Sequence, residues 1–167
     1  MRPQDIVVLL KLVAAQNEYV PLVPLSQSLF ISLSEISESL HRSQIANLLD
    51  YDKKRVMRQN LLEFLEHGVR YVFPQRPGPM VRGIPTAHSY PFMQKIFASE
   101  THYVWPDIKG STIGSAIEPF YSKQVDAVKN DDKLYKLLAL VDVTRVGKAR
   151  ETKVAVNELK KIILHES

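Results

Sequence analysis

The sequence predicts an α+β fold, helical through its N-terminal part, with a smaller mixed C-terminal region ending in two helices. Three observations predict it. Apolar residues recur at helical spacing in successive stretches up to Gly68. Residues 74–91 then bring Pro74, Pro77, Gly78, Pro79, Gly83, Pro85 and Pro91, a composition that interrupts any long helix. Helical spacing returns from about Asp132 to the end. At 167 residues the chain suits one large domain or two small ones sharing a core, and the change of texture divides it into 1–73 and 74–167.

The first helix has Pro3 where a missing N–H costs nothing and Asp5 where the helix dipole favours an acid. Ile6, Leu9, Leu10 and Val13 form one apolar stripe. Glu18 to Val23 leaves the helix as a short extended segment, and Pro24 opens a second helix over Leu25 to Phe30. Ser32-Leu33-Ser34-Glu35 is a capping box: the Ser32 hydroxyl accepts from the Glu35 N–H while Glu35 reaches back. A third helix therefore runs from Leu33 to about Ala46, with Asn47 suited to the left-handed position that ends it. Leu48 to Asp50 and Arg55 to Met57 read as two short strands around the polar turn Tyr51 to Lys54. A fourth helix covers Arg58 to His67, stopped by Gly68. Three helices, a hairpin and a further helix follow the order of a winged helix-turn-helix.

Beyond Gly68, Val69 to Phe73 reads as a strand, and Pro74 to Pro91 as a loop or hinge unable to hold a central strand. His102 to Trp105 and Ser111 to Ile117 read as strands around the Lys109-Gly110 turn. The closing helices cover Asp132 to Val143, capped by Asp131 or Asn130, and Lys148 to Leu164. The apolar face of the last helix (Val156, Leu159, Ile162, Ile163) packs on its own domain or forms a two-fold dimer contact. The aromatic residues Tyr71, Phe73, Tyr90, Phe92, Phe97, Tyr103, Trp105, Phe120 and Tyr121 supply core or line an effector pocket.

The stretch from Leu25 to Arg42 resembles the helix-turn-helix of bacterial transcriptional regulators with a MarR-like N-terminal domain. Leu25, Leu29, Ile36 and Leu40 match the apolar packing positions, Ser28 and Ser39 are small, and Ser32 matches the capping residue. Phe30 stands where that family usually has Gly, so the turn must use another backbone conformation or send the ring into the core. The resemblance implies a cytoplasmic, homodimeric regulator of transcription that binds double-stranded DNA with its third helix in the major groove. Ser34, Ser37, Glu38, His41 and Arg42 are then the contacts of that helix, Arg42 to guanine or phosphate and Glu38 to cytosine N4. Lys53, Lys54, Arg55 and Arg58 would follow the adjacent phosphates from the wing. Net charge is +4, but residues 1–57 carry six basic and six acidic side chains, so motif and local clustering carry this expectation.

A second resemblance spans Leu62 to Pro74, Arg82 to Ala87, Val104 to Pro106, Leu137 to Asp142 and Arg145 to Glu151. These segments look like small bacterial winged-helix regulators often encoded beside nucleotidyltransferase-type toxins. That implies an alternative: an antitoxin-like module that neutralises a co-encoded protein partner. Other classes find little support. Cysteine is absent, and His67, His88 and His102 with Asp107 lack metal-ligand spacing. Gly110 to Gly114 lacks the Lys-Ser/Thr of a phosphate loop and reads as a turn, and no serine sits in a nucleophile elbow. Neither an enzyme nor a cofactor is expected. No run approaches the roughly 18 apolar residues of a membrane helix, and no cleavage site follows Ile6 to Ala15, so no membrane association is expected.

Overall fold

The computed structural model describes residues 1–16 and 18–165. In chain order the elements are α1 (Pro3–Ala14), α2 (Leu22–Leu29), α3 (Leu33–Ile45), α4 (Arg58–His67), α5 (Val69–Val72), β1 (Met80–Pro85), a 3-10 turn (Ala87–Ser89), α6 (Pro91–Gln94), β2 (Tyr103–Pro106), β3 (Thr112–Ala116), α7 (Gln124–Val128), α8 (Asp132–Val146) and α9 (Ala149–Leu164). The fold is mixed α+β. No helix among the described residues is long and apolar enough to cross a membrane. The chain divides into two compact units, one of Met1–Leu62 with Phe120–Tyr135 and one of Glu63–Pro119 with the chain from Lys136 onward.

In the first unit α1 packs on α3 and α2, and α2 packs on α3 and α7. The predicted stripe of α1 is buried, and so are Val7 and Val8 on its other faces, so the helix is covered more completely than one stripe requires. Leu25 and Leu29 of α2 and Ile36 and Leu40 of α3 are buried with it, as are Leu61 of α4 and Ala127 and Val128 of α7. Asp131 ties the two parts of this unit together: its carboxylate accepts from the Leu134 N–H at 3.0 Å, capping α8, and pairs with Lys11 of α1 at 2.5 Å. Tyr121 adds a hydroxyl donated to the Leu29 carbonyl at 2.8 Å.

The second unit is built on three strands that all pair with one another. β1 runs antiparallel to β3 from Met80↔Ser115 to Gly83↔Thr112, and antiparallel to β2 from Gly83↔Pro106 to Pro85↔Val104. β2 and β3 are parallel at Tyr103↔Ser115 and Val104↔Ala116, closing the sheet. Closure brings backbones into close contact at glycines, Gly83 and Gly114 among them. A Cβ on Gly83 would lie 2.0 Å from the Trp105 carbonyl oxygen, and one on Gly114 2.6 Å from that of His102. Beside the sheet, α8 is buried continuously from Leu137 to Arg145, as befits a helix enclosed on every side. Asp142 on that helix accepts from Thr86 Oγ1 and Trp105 Nε1, both at 2.7 Å, and from Arg145 Nη1 at 3.0 Å. Arg145 Nε donates to the Phe73 carbonyl at 2.9 Å.

Several expectations change. Val69 to Phe73 forms the single helical turn α5 instead of a strand. Its N–H groups find carbonyls locally, Val72 bonding to Gly68 and Phe73 to Val69, and Tyr71 and Val72 are left exposed. Residues 74–91 do hold a strand paired on both edges. The prolines permit it because β1 meets β3 with its first half and β2 with its second, so only Gly83 is paired on both sides. Gly114 lies inside β3, not in a turn. The second helix begins three residues earlier than expected, at Leu22, and Glu18 to Pro21 carries no regular structure.

The Asp142 carboxylate is buried beside a buried guanidinium, so its removal takes from Arg145 the carboxylate that its Nη1 is paired with. An Asp142→Ala variant should lose roughly 3–5 kcal/mol of stability. Urea unfolding followed by fluorescence of Trp105, the chain's single tryptophan, measures it; a loss under about 1 kcal/mol would show that the cluster is not the anchor.

Candidate nucleic-acid interface

The turn between α2 and α3 uses the left-handed conformation at a residue that disfavours it. Phe30 has φ 55° and ψ 37°, the backbone that glycine adopts most readily. Its N–H reaches the Gln27 carbonyl and the next N–H, of Ile31, reaches that of Ser26, while the Ser26 hydroxyl donates to the Ile31 carbonyl at 2.5 Å. The expected alternatives both give way: the backbone is the glycine-like one, and Phe30 is 58% exposed instead of in the core. Asn47 ends α3 in the same manner, with φ 57° and bonds from Asn47 N–H to Gln44 and from Leu48 N–H to Ser43.

Ser32 caps α3 as expected, its Oγ accepting from the Glu35 N–H at 3.3 Å. The reciprocal half of the box is absent because the Glu35 carboxylate accepts from Arg42 at 2.5 Å, Gln4 at 3.1 Å and Arg2 at 3.4 Å. Arg42 in turn grips Asp5 of α1 with both arms of its fork, Nε to Oδ2 at 2.9 Å and Nη2 to Oδ1 at 2.7 Å. Asp5 is fully buried. Burial pushes its carboxyl up, but the hydrogen bonds from Arg42 and from the Arg2 N–H outweigh this and hold it below the usual carboxylate range. The hydrogen bond from Arg42 likewise lowers Glu35. The Arg42 guanidinium, expected to meet guanine or phosphate, is thus occupied by two carboxylates and is mostly buried.

The remaining candidates on α3 are exposed. Ile36, Ser39, Leu40 and Ser43 turn inward, leaving Ser34, Ser37, Glu38 and His41 on the surface with Leu33. With Glu35 held by Arg42, Glu38 is the acid that this outward face presents.

The two strands expected at Leu48 to Asp50 and Arg55 to Met57 do not form; the segment is a close reversal with an isolated β-bridge, Leu49↔Val56, flanked by bonds from the Asp50 N–H to the Arg55 carbonyl and from the Met57 N–H to the Leu48 carbonyl. Lys53 takes the left-handed position at φ 59°, and Asp50 Oδ1 accepts from the Lys54 and Arg55 N–H groups at 2.8 and 3.0 Å. This arrangement sets the basic residues along two cavities. One, of about 440 Å³, is lined by Lys54, Arg55 and Arg58 with Leu12, Glu18 and Val56. The other, of about 180 Å³, joins Lys53 and Lys54 to Ser37 of α3 and to Tyr19. Lys54 Nζ stands 5.6 Å from the Tyr19 ring centroid. Tyr19 and Glu18 escaped the sequence reading, since nothing in the local pattern joins that loop to the turn at Lys54.

Comparison with protein-family models, curated proteins and solved structures found no match.

Because Arg42 compensates a buried charge, Arg42→Ala should cost roughly 3–5 kcal/mol in stability, read by urea denaturation with far-UV circular dichroism. Asp5 and Glu35 have folded pKa values below their ordinary 3.8 and 4.5. Their contribution is therefore present above those values and is lost as pH falls through the lower folded ones. Stability should drop on acidification below about pH 4, and the drop should shrink in Arg42→Ala; an unchanged acid limb would count against the assignment.

Proposed function

We propose that this protein is a sequence-specific, double-stranded-DNA-binding transcriptional regulator of the winged helix-turn-helix kind. In this reading α3 enters the major groove and the reversal at Tyr51 to Lys54 is the wing. The observation that carries it is the grouping of Lys53 and Lys54 with Ser37 of α3, and of Lys54 with Arg55 and Arg58, around two adjoining cavities. These cations suit the phosphate backbone flanking a groove into which the capped, exposed start of α3 projects. Ser34, Ser37, Glu38 and His41 are the base-reading and phosphate-donating candidates, and Glu38 favours cytosine N4. Arg42 fixes the orientation of α3 instead of reading a base. A homodimer on two half-sites, autoregulating its own operon from the cytoplasm, completes the reading.

A second reading draws on exposed apolar side chains about α3: Phe30 is 58% exposed, Leu33 48% and Ile45 66%. They favour a protein contact, that of an antitoxin-like module on a co-encoded partner such as a nucleotidyltransferase. Co-purification from the native operon with and without nuclease treatment separates the two readings.

A salt-titrated mobility shift on the gene's own upstream region tests the preferred reading. Lys54→Ala should weaken every sequence alike and reduce the salt slope by about one. His41→Ala should alter the preference among sequences with little change in slope. Affinity no better than for random DNA at moderate salt would reject the proposal.

A further inference from the structure

The second unit contains a pocket that DNA binding leaves unused. It has a volume of about 310 Å³ and is lined by His88, Tyr103, Phe97, Val146, Lys148 and Glu151, with small residues of the loop at Ala98 to Thr101. That volume lies at the lower end of the range for small-molecule sites.

The wall carrying His88 is fixed in advance. Ala87, fully buried, has φ 51°, a left-handed conformation that a non-glycine residue holds only under constraint. The constraint comes from both neighbours: Thr86 is bonded to Asp142, and the Ser89 hydroxyl accepts from the Tyr103 N–H at 2.8 Å. His88 has a side chain only 8% exposed, its Nε2 lies 3.5 Å from Glu151 Oε1, and its Nδ1 has no hydrogen-bond partner. Glu151 Oε2 and Thr152 Oγ1, on the first turn of α9, are likewise buried and unpartnered. Burial lowers the His88 pKa against the pull of Glu151, favouring the neutral imidazole.

The first turn of α9 therefore offers two opposite features a few residues apart. Glu151 presents an anion. Lys148, the exposed residue at the N-cap, presents a cation beside backbone N–H groups that receive no side-chain cap there. Phe97, Val146 and Tyr103 line the same pocket.

We propose that this pocket binds a small zwitterion, an α-amino acid with an apolar side chain. Its ammonium meets Glu151, its carboxylate meets Lys148 and the start of α9, and its side chain lies among Phe97, Val146 and Tyr103. An amino acid satisfies both charges within one compact ligand, whereas a simple anion would meet Glu151 and a simple cation would meet Lys148. The inference concerns the second unit alone and stands whether or not the chain binds DNA.

Isothermal titration of the full chain with L-phenylalanine and L-leucine tests it, alongside 2-phenylethylamine, which lacks the carboxylate, and 3-phenylpropionate, which lacks the ammonium. Either amino acid should bind, with the truncated analogues of phenylalanine at least about tenfold weaker than their parent. Glu151→Gln should weaken L-phenylalanine by about tenfold or more and spare 3-phenylpropionate; Lys148→Ala should do the converse, sparing 2-phenylethylamine. Thermal unfolding midpoints verify that the variants are folded. No heat from either amino acid at millimolar concentration, analogues binding as well as the parent, or full affinity in a folded Glu151→Gln would each overturn the proposal; the analogue comparison on the unmodified chain decides it even if a variant does not fold.

Discussion

A carboxylate that is fully buried must be paired or it will not stay charged, and Asp5 is paired by the two-armed fork of Arg42. Apolar contacts between α1 and α3 are non-directional and tolerate rotation of one helix on the other. A bidentate guanidinium does not, because both N–H···O bonds require coplanar, parallel geometry. The pair therefore fixes how α3 is turned on α1, with Ile36 and Leu40 inward and Ser34, Ser37, Glu38 and His41 outward. The Glu35 carboxylate joins the same guanidinium, which withdraws one acid from the outward face. Every proposed contact of α3 with a partner depends on that orientation.

The second unit uses a buried acid in a comparable way. Asp142 gathers donors from the 3-10 turn region, from β2 and from its own helix, so Thr86, Trp105 and Arg145 share one acceptor. The consequence reaches the pocket. Thr86 is held by Asp142, Ala87 is forced into a left-handed backbone, and His88 follows in a defined position. Strain at Ala87 is maintained because the groups on either side are already fixed.

Helix ends were legible in the sequence because capping is local chemistry. Ser32 accepting from Glu35, Asn47 at a left-handed helix end and Asp131 at the start of α8 each involve groups a few residues apart. The strands at His102 to Trp105 and Ser111 to Ile117 were legible from composition and the intervening turn. β1 was not, since prolines and glycine argue against a strand until the two partner strands are known to divide its length between them. The single turn at Val69 to Val72 misled for a related reason: β-branched residues favour extended backbone only where a neighbouring strand exists to pair with.

What the sequence determined by itself is the set of features governed by short-range spacing: the helical order, the caps, the polar reversal after Leu49 and the mixed α+β character. It also determined that basic residues cluster at Lys53 to Arg55. Tertiary structure decided what those residues face. It turned Arg42 from a candidate DNA contact into the partner of Asp5, set Tyr19 against Lys54, and placed His88 beside Glu151. It also put Phe30 in a conformation its side chain disfavours, with the flanking core residues Leu29 and Ile31 holding the turn. The physical reason is common to all four. Whether a charge is free, or a backbone angle tolerable, depends on which groups a distant part of the chain brings within hydrogen-bonding or packing distance, and sequence spacing carries no record of that.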